Sequence, residues 1–215
     1  MLEVLTIEHG SPEWYSFRRT GIGGSDAGAI IGKSHFKTNI DVWEEKMGKK
    51  APDDISDKDV VKYGKAAEEW LIKIFELDYP EYKVEVNKNI VYRRGFMFAS
   101  LDAELTDKQG RRGILEIKTN EIFSGISLDK WDRQVPENYY AQIIHYLIVT
   151  GYDFAILKVQ IKGKGVNGEI EHITRHYKYF RKDIMSDMKY VYEQEYKFWQ
   201  SVKAGKRPPR LLPSF

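Results

Sequence analysis

Seven residues constrain this 215-residue chain more than any others: Gly113 to Thr119 read Gly-Ile-Leu-Glu-Ile-Lys-Thr. The composition is that of a strand. The side-chain period of two puts Ile114, Glu116 and Lys118 on one face and Leu115 and Ile117 on the other. A glutamate and a lysine inside an apolar strand are costly to bury unless each has a partner. Asp102 ends a preceding candidate strand, Phe96 to Asp102, fourteen residues earlier. A hairpin between the two strands would bring Asp102 beside Glu116. Two carboxylates held together repel unless a cation lies between them. Oxygen-only donors suit a hard ion such as Mg²⁺ or Mn²⁺. The ammonium of Lys118 could then polarise a water or stabilise charge on a phosphate. Taken alone, the same three residues also fit a salt-bridged cluster on a solvated sheet face.

Composition narrows the classes. With no cysteine, the chain has no disulfide, thiolate zinc site, cysteine nucleophile or cysteine-held iron–sulfur cluster. Its 42% hydrophobic and 13% aromatic content argues against disorder. No run of about 18 apolar residues is present, and the N-terminus lacks the basic start and apolar core of a signal peptide. A soluble, cytoplasmic protein with no membrane contact is expected. The balance of 34 Lys plus Arg against 32 Asp plus Glu gives a net charge of only +2. That total would not by itself suggest a nucleic-acid binder.

The order of elements reads as helices, a long helix, three strands, a helix, two strands and a helix. A short helix at Pro12 to Thr20 precedes GIGGSDAGAIIG, where Ser25 or Asp26 can cap a helix at Ala27 to Ile31. Thr38 caps another helix through Met47, ended by Gly48. Val60 to Leu77 is a long helix with Tyr63, Ala67, Trp70, Leu71 and Ile74 on one stripe. Strands follow at Tyr82 to Tyr92, Phe96 to Asp102 and Gly113 to Thr119, then a helix at Glu137 to Thr150. Phe154 to Ile161 and Ile170 to Tyr179 form a hairpin across GKGVNGE. A helix at Lys182 to Val202 leads into a basic, Pro-rich tail. This is an α/β (α+β) layered domain with a central mixed β-sheet flanked by helices.

Three further features bear on chemistry. The Gly-rich GIGGSD segment offers free N–H groups and the Ser25 hydroxyl to an anion, and Arg18 or the adjacent Arg19 could add a charge-assisted bond. A plain Ser-capped loop is the alternative. Gln142 lies on an otherwise apolar helix and needs a partner; Lys118 or a metal-bound water would serve. The histidines suggest no metal site: no second His stands at metal spacing from His145, and His172 and His176 lie roughly 13 Å apart on one strand.

The ordered blocks EWYSFRRTGIGGSDAGAIIG, YGKAAEE, ASLDAEL, GILEIKT and YYAQIIHYLIVTG resemble the lambda-exonuclease/YqaJ-type viral recombinase family. That family belongs to the PD-(D/E)XK nuclease superfamily, with its restriction-endonuclease-like core. One departure is Leu101 where the superfamily name has Pro. The resemblance implies metal-binding carboxylates at Asp102 and Glu116, a backbone carbonyl ligand at Ile117 and a catalytic lysine at Lys118. It adds an acidic residue at Glu68 near the metals, a helix glutamine at Gln142 and 5′-phosphate contacts at Arg18 and Ser25. Glu68 shares a helix face with Gly64, Ile72 and Phe75.

The implied organisation is one nuclease domain, 1–215. Residues 1–50 form a 5′-phosphate-binding region, 60–180 the catalytic core, and 181–215 the last helix and basic tail. The implied activity is Mg²⁺-dependent 5′→3′ exodeoxyribonuclease action on linear duplex DNA, releasing 5′-mononucleotides and leaving 3′ overhangs for phage-type recombination. One or two ions serve each site, with Mn²⁺ a substitute. The implied partners are DNA ends, two further copies in a ring-shaped homotrimer, and a single-strand annealing protein. A structure- or sequence-specific endonuclease, and a non-catalytic DNA-end-binding protein, are the alternatives. The small net charge would then divide into an acidic metal seat and basic tracks such as Arg93–Arg94 and Arg111–Arg112.

Overall fold

The computed structural model describes residues 1–121, 131, 134–164 and 167–211. Part of the expected hairpin turn, 165–166, and the end of the basic tail, 212–215, lie outside the described residues. The strands are β1 (Glu3–Thr6), β2 (Ile22–Gly23), β3 (Lys83–Glu85), β4 (Ile90–Arg94), β5 (Met97–Ala99), β6 (Ala103–Thr106), β7 (Arg112–Glu121), β8 (Phe154–Lys164) and β9 (Ile170–Phe180). The helices are α1 (Pro12–Arg18), α2 (Gly24–Ile30), α3 (Asn39–Lys46), α4 (Asp59–Asp78), α5 (Glu137–Thr150) and α6 (Met185–Lys203). Among the described residues no helix is long and apolar enough to cross a membrane.

There are two mixed sheets where one was expected. The smaller has the order β1-β4-β5-β2 and the larger β3-β6-β7-β8-β9. The difference arises at two short crossings. The expected strand Tyr82 to Tyr92 breaks at residues 86–89, so β3 joins the larger sheet and β4 the smaller. The expected strand Phe96 to Asp102 breaks at residues 100–102, between β5 and β6. Asp102 therefore sits where the chain passes between sheets. The short strands β1 and β2 carry no alternation long enough to read.

Helix α5 lies at the centre of the packing. Ile143, Ile144 and Leu147 are buried against Leu157 and Val159 of the larger sheet, Met97 and Ala99 of the smaller, and Val191 of α6. Gly151, at φ +79°, ends α5 in the left-handed conformation that glycine adopts without strain. The opposite face of the larger sheet is covered by α4 through Leu71, Ile72 and Phe75. The expected stripe is thus rotated: Trp70 is 64% exposed and Ile74 46%. Phe75 instead is buried in one cluster with Leu115, Ile117 and Phe154. Glu68, on this arc, is carried toward the sheet.

The chain ends its helices largely as the residues suggest, with two shifts. Thr38 and Asp41 form a reciprocal capping box on α3. In α2 the N-cap is Gly23, so Ser25 and Asp26 lie inside the first turn, and Asp26 reaches back to the Gly23 N–H at 3.1 Å. A 3₁₀ turn at Arg181–Asp183 precedes α6, which delays its start to Met185.

Glu104 of β6 clamps the two sheets together. It is buried and accepts hydrogen bonds from Tyr92 of β4, Tyr152, Asn87 and Arg112. Burial opposes its charge, but the hydrogen bonds from Tyr152, Tyr92 and Asn87 and the charge of Arg112 together hold its pKa below the ordinary glutamate value. Removing such a hub leaves several buried donors unmatched. Glu104→Ala is expected to lower the unfolding free energy by about 2–4 kcal/mol, read from the urea midpoint. An unchanged midpoint would remove Glu104 as the clamp.

Candidate active site

The centre of the site is built by β7. It pairs antiparallel with β6, with Ala103 opposite Leu115, and parallel with β8. Asp102 precedes Ala103 and so falls beside Glu116. Its Oδ2 accepts the Ile117 N–H at 2.7 Å, taking the place of a ladder carbonyl where β6 has not yet begun. A strand residue exchanges its N–H and C=O on the same edge, so the Ile117 carbonyl faces this gap too.

Glu116 is 2% exposed. Its Oε1 accepts from Lys118 Nζ at 2.6 Å and Gln142 Nε2 at 2.7 Å. Its Oε2 is buried and has no hydrogen-bond partner among the described residues. Burial, and then the charge of Asp102, push the Glu116 carboxyl up to about 8. The same two causes raise Glu68, half-buried on α4, to about 7. Burial raises Asp102 as well, against the pull of Lys118 and the Ile117 N–H. Burial works against the ammonium of Lys118, yet Glu116 and Asp102 hold its pKa above the ordinary lysine value. Gly64, one turn before Glu68, faces Thr119, where a Cβ would stand 3.0 Å from Oγ1.

These observations fit a hard divalent cation. The donors are oxygens, one buried carboxylate oxygen lacks a partner, and Asp102 adds to burial in raising the pKa of Glu116 and Glu68. Among the described residues no three His, Asp or Glu side chains stand gathered at ligand spacing; Lys118 and Gln142 hold Glu116 from one side. Gln142, for which Lys118 or a metal-bound water was the expected partner, donates to Glu116, and it also donates to the Tyr146 hydroxyl at 2.9 Å. Tyr146 was not anticipated, although its place four residues from Gln142 on one helix face is a readable signal.

A second group lies next to the first. Arg18 Nη2 donates to Ser25 Oγ at 3.3 Å and stands 3.5 Å from Asp26 Oδ1. Arg18 is half-buried and Ser25 exposed. Arg19 is exposed and makes no such contact; with Arg18, Lys46, Lys50, Lys65 and Tyr15 it lines a cavity of about 750 Å³. The main-chain anion seat expected from GIGGSD is reduced, because the Gly23 N–H is already taken by Asp26. The two groups touch through Gly24: a Cβ there would lie 2.3 Å from the Tyr146 ring. A contact path runs from the α2 turn through Tyr146 and Gln142 to Glu116.

Other expected features resolve as structure. His145 is buried between Glu195 and the Phe98 carbonyl. The arginine pairs expected as basic tracks are engaged within the fold: Arg93 with the Thr20 and Gly95 carbonyls, Arg94 with Val149, Arg111 with Asp107 and Arg112 with Glu104.

Comparison with known proteins agrees with this architecture. Residues 13–153 match the profile of the YqaJ-like viral recombinase domain. The chain is 34% identical over 205 residues to the uncharacterized protein YqaJ of Bacillus subtilis (strain 168), covering 93% of this chain and 58% of that protein. It therefore spans little more than half the length of that relative. The fold is shared with an alkaline exonuclease from Laribacter hongkongensis, at a TM-score of 0.56 and 12% identity over 91% of this chain and 94% of that one. It is shared too with a phage-related exonuclease from Haemophilus somnus 129PT, at 0.59 and 14% over 89% and 98%. The chain belongs to the YqaJ-like viral recombinase family.

Burial of Glu68 beside Asp102 has a pH signature in the metal-free protein. The folded state holds a proton on Glu68 up to about pH 7, whereas the unfolded chain releases it near 4.5. Stability contributed by this proton is therefore lost as pH rises across that interval. With chelator present, Glu68→Gln should gain stability over the wild type progressively between these pH values and hold that gain above them. Urea midpoints measured across the range test this; an offset that does not vary with pH would refute it.

Proposed function

We propose that this chain is a metal-dependent exodeoxyribonuclease. It acts on linear duplex DNA from 5′-phosphorylated ends, releases 5′-mononucleotides and leaves 3′ overhangs for phage-type recombination. The observation that carries this reading is Glu116: buried, one oxygen held by Lys118 and Gln142, the other unpaired beside Asp102. Asp102, Glu116, the Ile117 carbonyl and Glu68 would hold one or two Mg²⁺ ions, or Mn²⁺ in their place. A bound ion of this kind neutralises phosphodiester charge, lowers the pKa of water and stabilises the leaving oxygen.

The side chains supply the rest. Lys118, kept protonated by its carboxylate neighbours, offers a positive charge and the donors it does not give to Glu116 to a phosphoryl oxygen or an attacking water. Gln142 holds Glu116 Oε1 in place, and Tyr146 holds Gln142. Arg18 and Ser25 present a guanidinium and a hydroxyl to the terminal 5′-phosphate. The Laribacter hongkongensis enzyme has been solved in complex with dAMP, the chemical form of a released 5′-mononucleotide. A homotrimeric ring, a single-strand annealing partner and action in the cytoplasm of a phage-bearing bacterium belong to the same reading.

Linear duplex labelled at either end tests activity and polarity together. Label at the 5′ end should appear first as mononucleotide, only with a divalent ion present, and closed circles should survive. Cutting of circles would favour an endonuclease; binding without release would favour a non-catalytic end-binding protein. Asp102→Ala is expected to lower the rate by roughly three orders of magnitude, about 4 kcal/mol of barrier. Retained activity would overturn the metal assignment. Arg18→Ala is expected to reduce the preference for 5′-phosphate over 5′-hydroxyl ends by about tenfold, the worth of one charge-assisted hydrogen bond. Equal loss on both ends would remove the seat.

A further inference from the structure

Asp26 is a buried charge that the chemistry above does not use. Its carboxylate is 0% exposed. Oδ2 accepts the Gly23 N–H at 3.1 Å and Lys46 Nζ at 2.7 Å. Oδ1 accepts Lys37 Nζ at 2.8 Å and stands 3.5 Å from Arg18 Nη2. Closing the turn at Gly23 needs only a neutral acceptor such as Asn or Ser. Three cations gathered on one buried carboxylate need a different explanation.

The contacts converge on Arg18. Lys46 donates a second bond, to the Arg18 carbonyl, at 2.8 Å. Asp26 thus holds Arg18 at two points: the guanidinium directly, and the main chain through Lys46. The Trp14 ring lies 5.8 Å from the guanidinium and limits it on a third side. The charges do not cancel. Arg18, Lys37 and Lys46 face Asp26 and Glu45, which leaves one positive charge in surplus. Arg18 is the cation of this cluster that also reaches the Ser25 hydroxyl, and its side chain is 26% exposed. A flexible arginine loses rotamer freedom when it grips an anion; one held beforehand does not.

We propose that Asp26 is a positioning residue for end recognition: through Lys46 and by direct contact it holds Arg18 beside Ser25 in the orientation that receives a terminal 5′-phosphate. This rests on the assignment of Arg18 and Ser25 as the phosphate seat. The alternative is a carboxylate that only holds α1, α2 and α3 together.

The readout is the ratio of kcat/KM on 5′-phosphate ends to kcat/KM on 5′-hydroxyl ends of otherwise identical linear duplexes. Asp26→Asn leaves Lys46 buried without its counter-charge and risks misfolding. Asp26→Asn/Lys46→Met removes both charges of the most buried pair, and a thermal melt shows that it folds. The double variant is expected to lower the ratio by about tenfold, mainly through KM. Arg18→Ala, measured in parallel, should lower it by a similar factor, and combining all three substitutions should add little. A folded double variant that keeps the wild-type ratio while Arg18→Ala loses it would overturn the positioning role and spare the seat. Equal rate loss on both ends would overturn it in favour of the purely structural alternative. An unchanged ratio in Arg18→Ala would remove the seat and this inference with it.

Discussion

The hydrogen bond from the Ile117 N–H to the Asp102 carboxylate sets the terms for the whole centre. The backbone of β7 is fully paired with β6 only as far as Ala103 reaches. One residue further, a side chain takes over the role of a strand. A buried N–H cannot be left unpaired, so the carboxylate is tied to the sheet edge and cannot turn away from Glu116. The crowding of negative charge beside Lys118 follows from that tie. The second sheet supports it, because Asp102 can occupy this position only if the chain leaves β5 and crosses over immediately before β6.

The electrostatics divide the molecule in two. At the centre, carboxylates predominate, and burial together with the charge of Asp102 raises the pKa of Glu116 and Glu68. At the α1–α3 corner, cations outnumber their partners around Asp26. These two regions of opposite bias lie on either side of Tyr146. A small net charge therefore reflects local opposition, and it says little about affinity for a polyanion. The arginine pairs along the strands contribute to neither region, since carbonyls and carboxylates of the fold engage them.

The legible parts of the site were those with short-range periodicity. Glu116 and Lys118 lie two apart in a strand, and the alternation alone puts them on one face. Thr38 and Asp41 announce a cap because a capping box is a local device. The crossings at 86–89 and 100–102 were not legible: strand-forming composition says that a segment is extended, not which sheet it joins. The rotation of α4 is not legible because two overlapping apolar arcs run along it, one with Trp70 and Ile74, the other with Ile72 and Phe75. Only the shape of the sheet beneath selects between them. The bond between Asp26 and Lys46, twenty residues apart, leaves no pattern in the sequence.

The close approach of Gly24 to Tyr146 has a mechanical consequence. With no side chain between them, the turn that carries Ser25 rests directly on the helix that holds Glu116 through Gln142. On the proposed reading, a strand end held at Arg18 and Ser25 would stand at a distance from Glu116 that this packing fixes, whatever the sequence of the DNA.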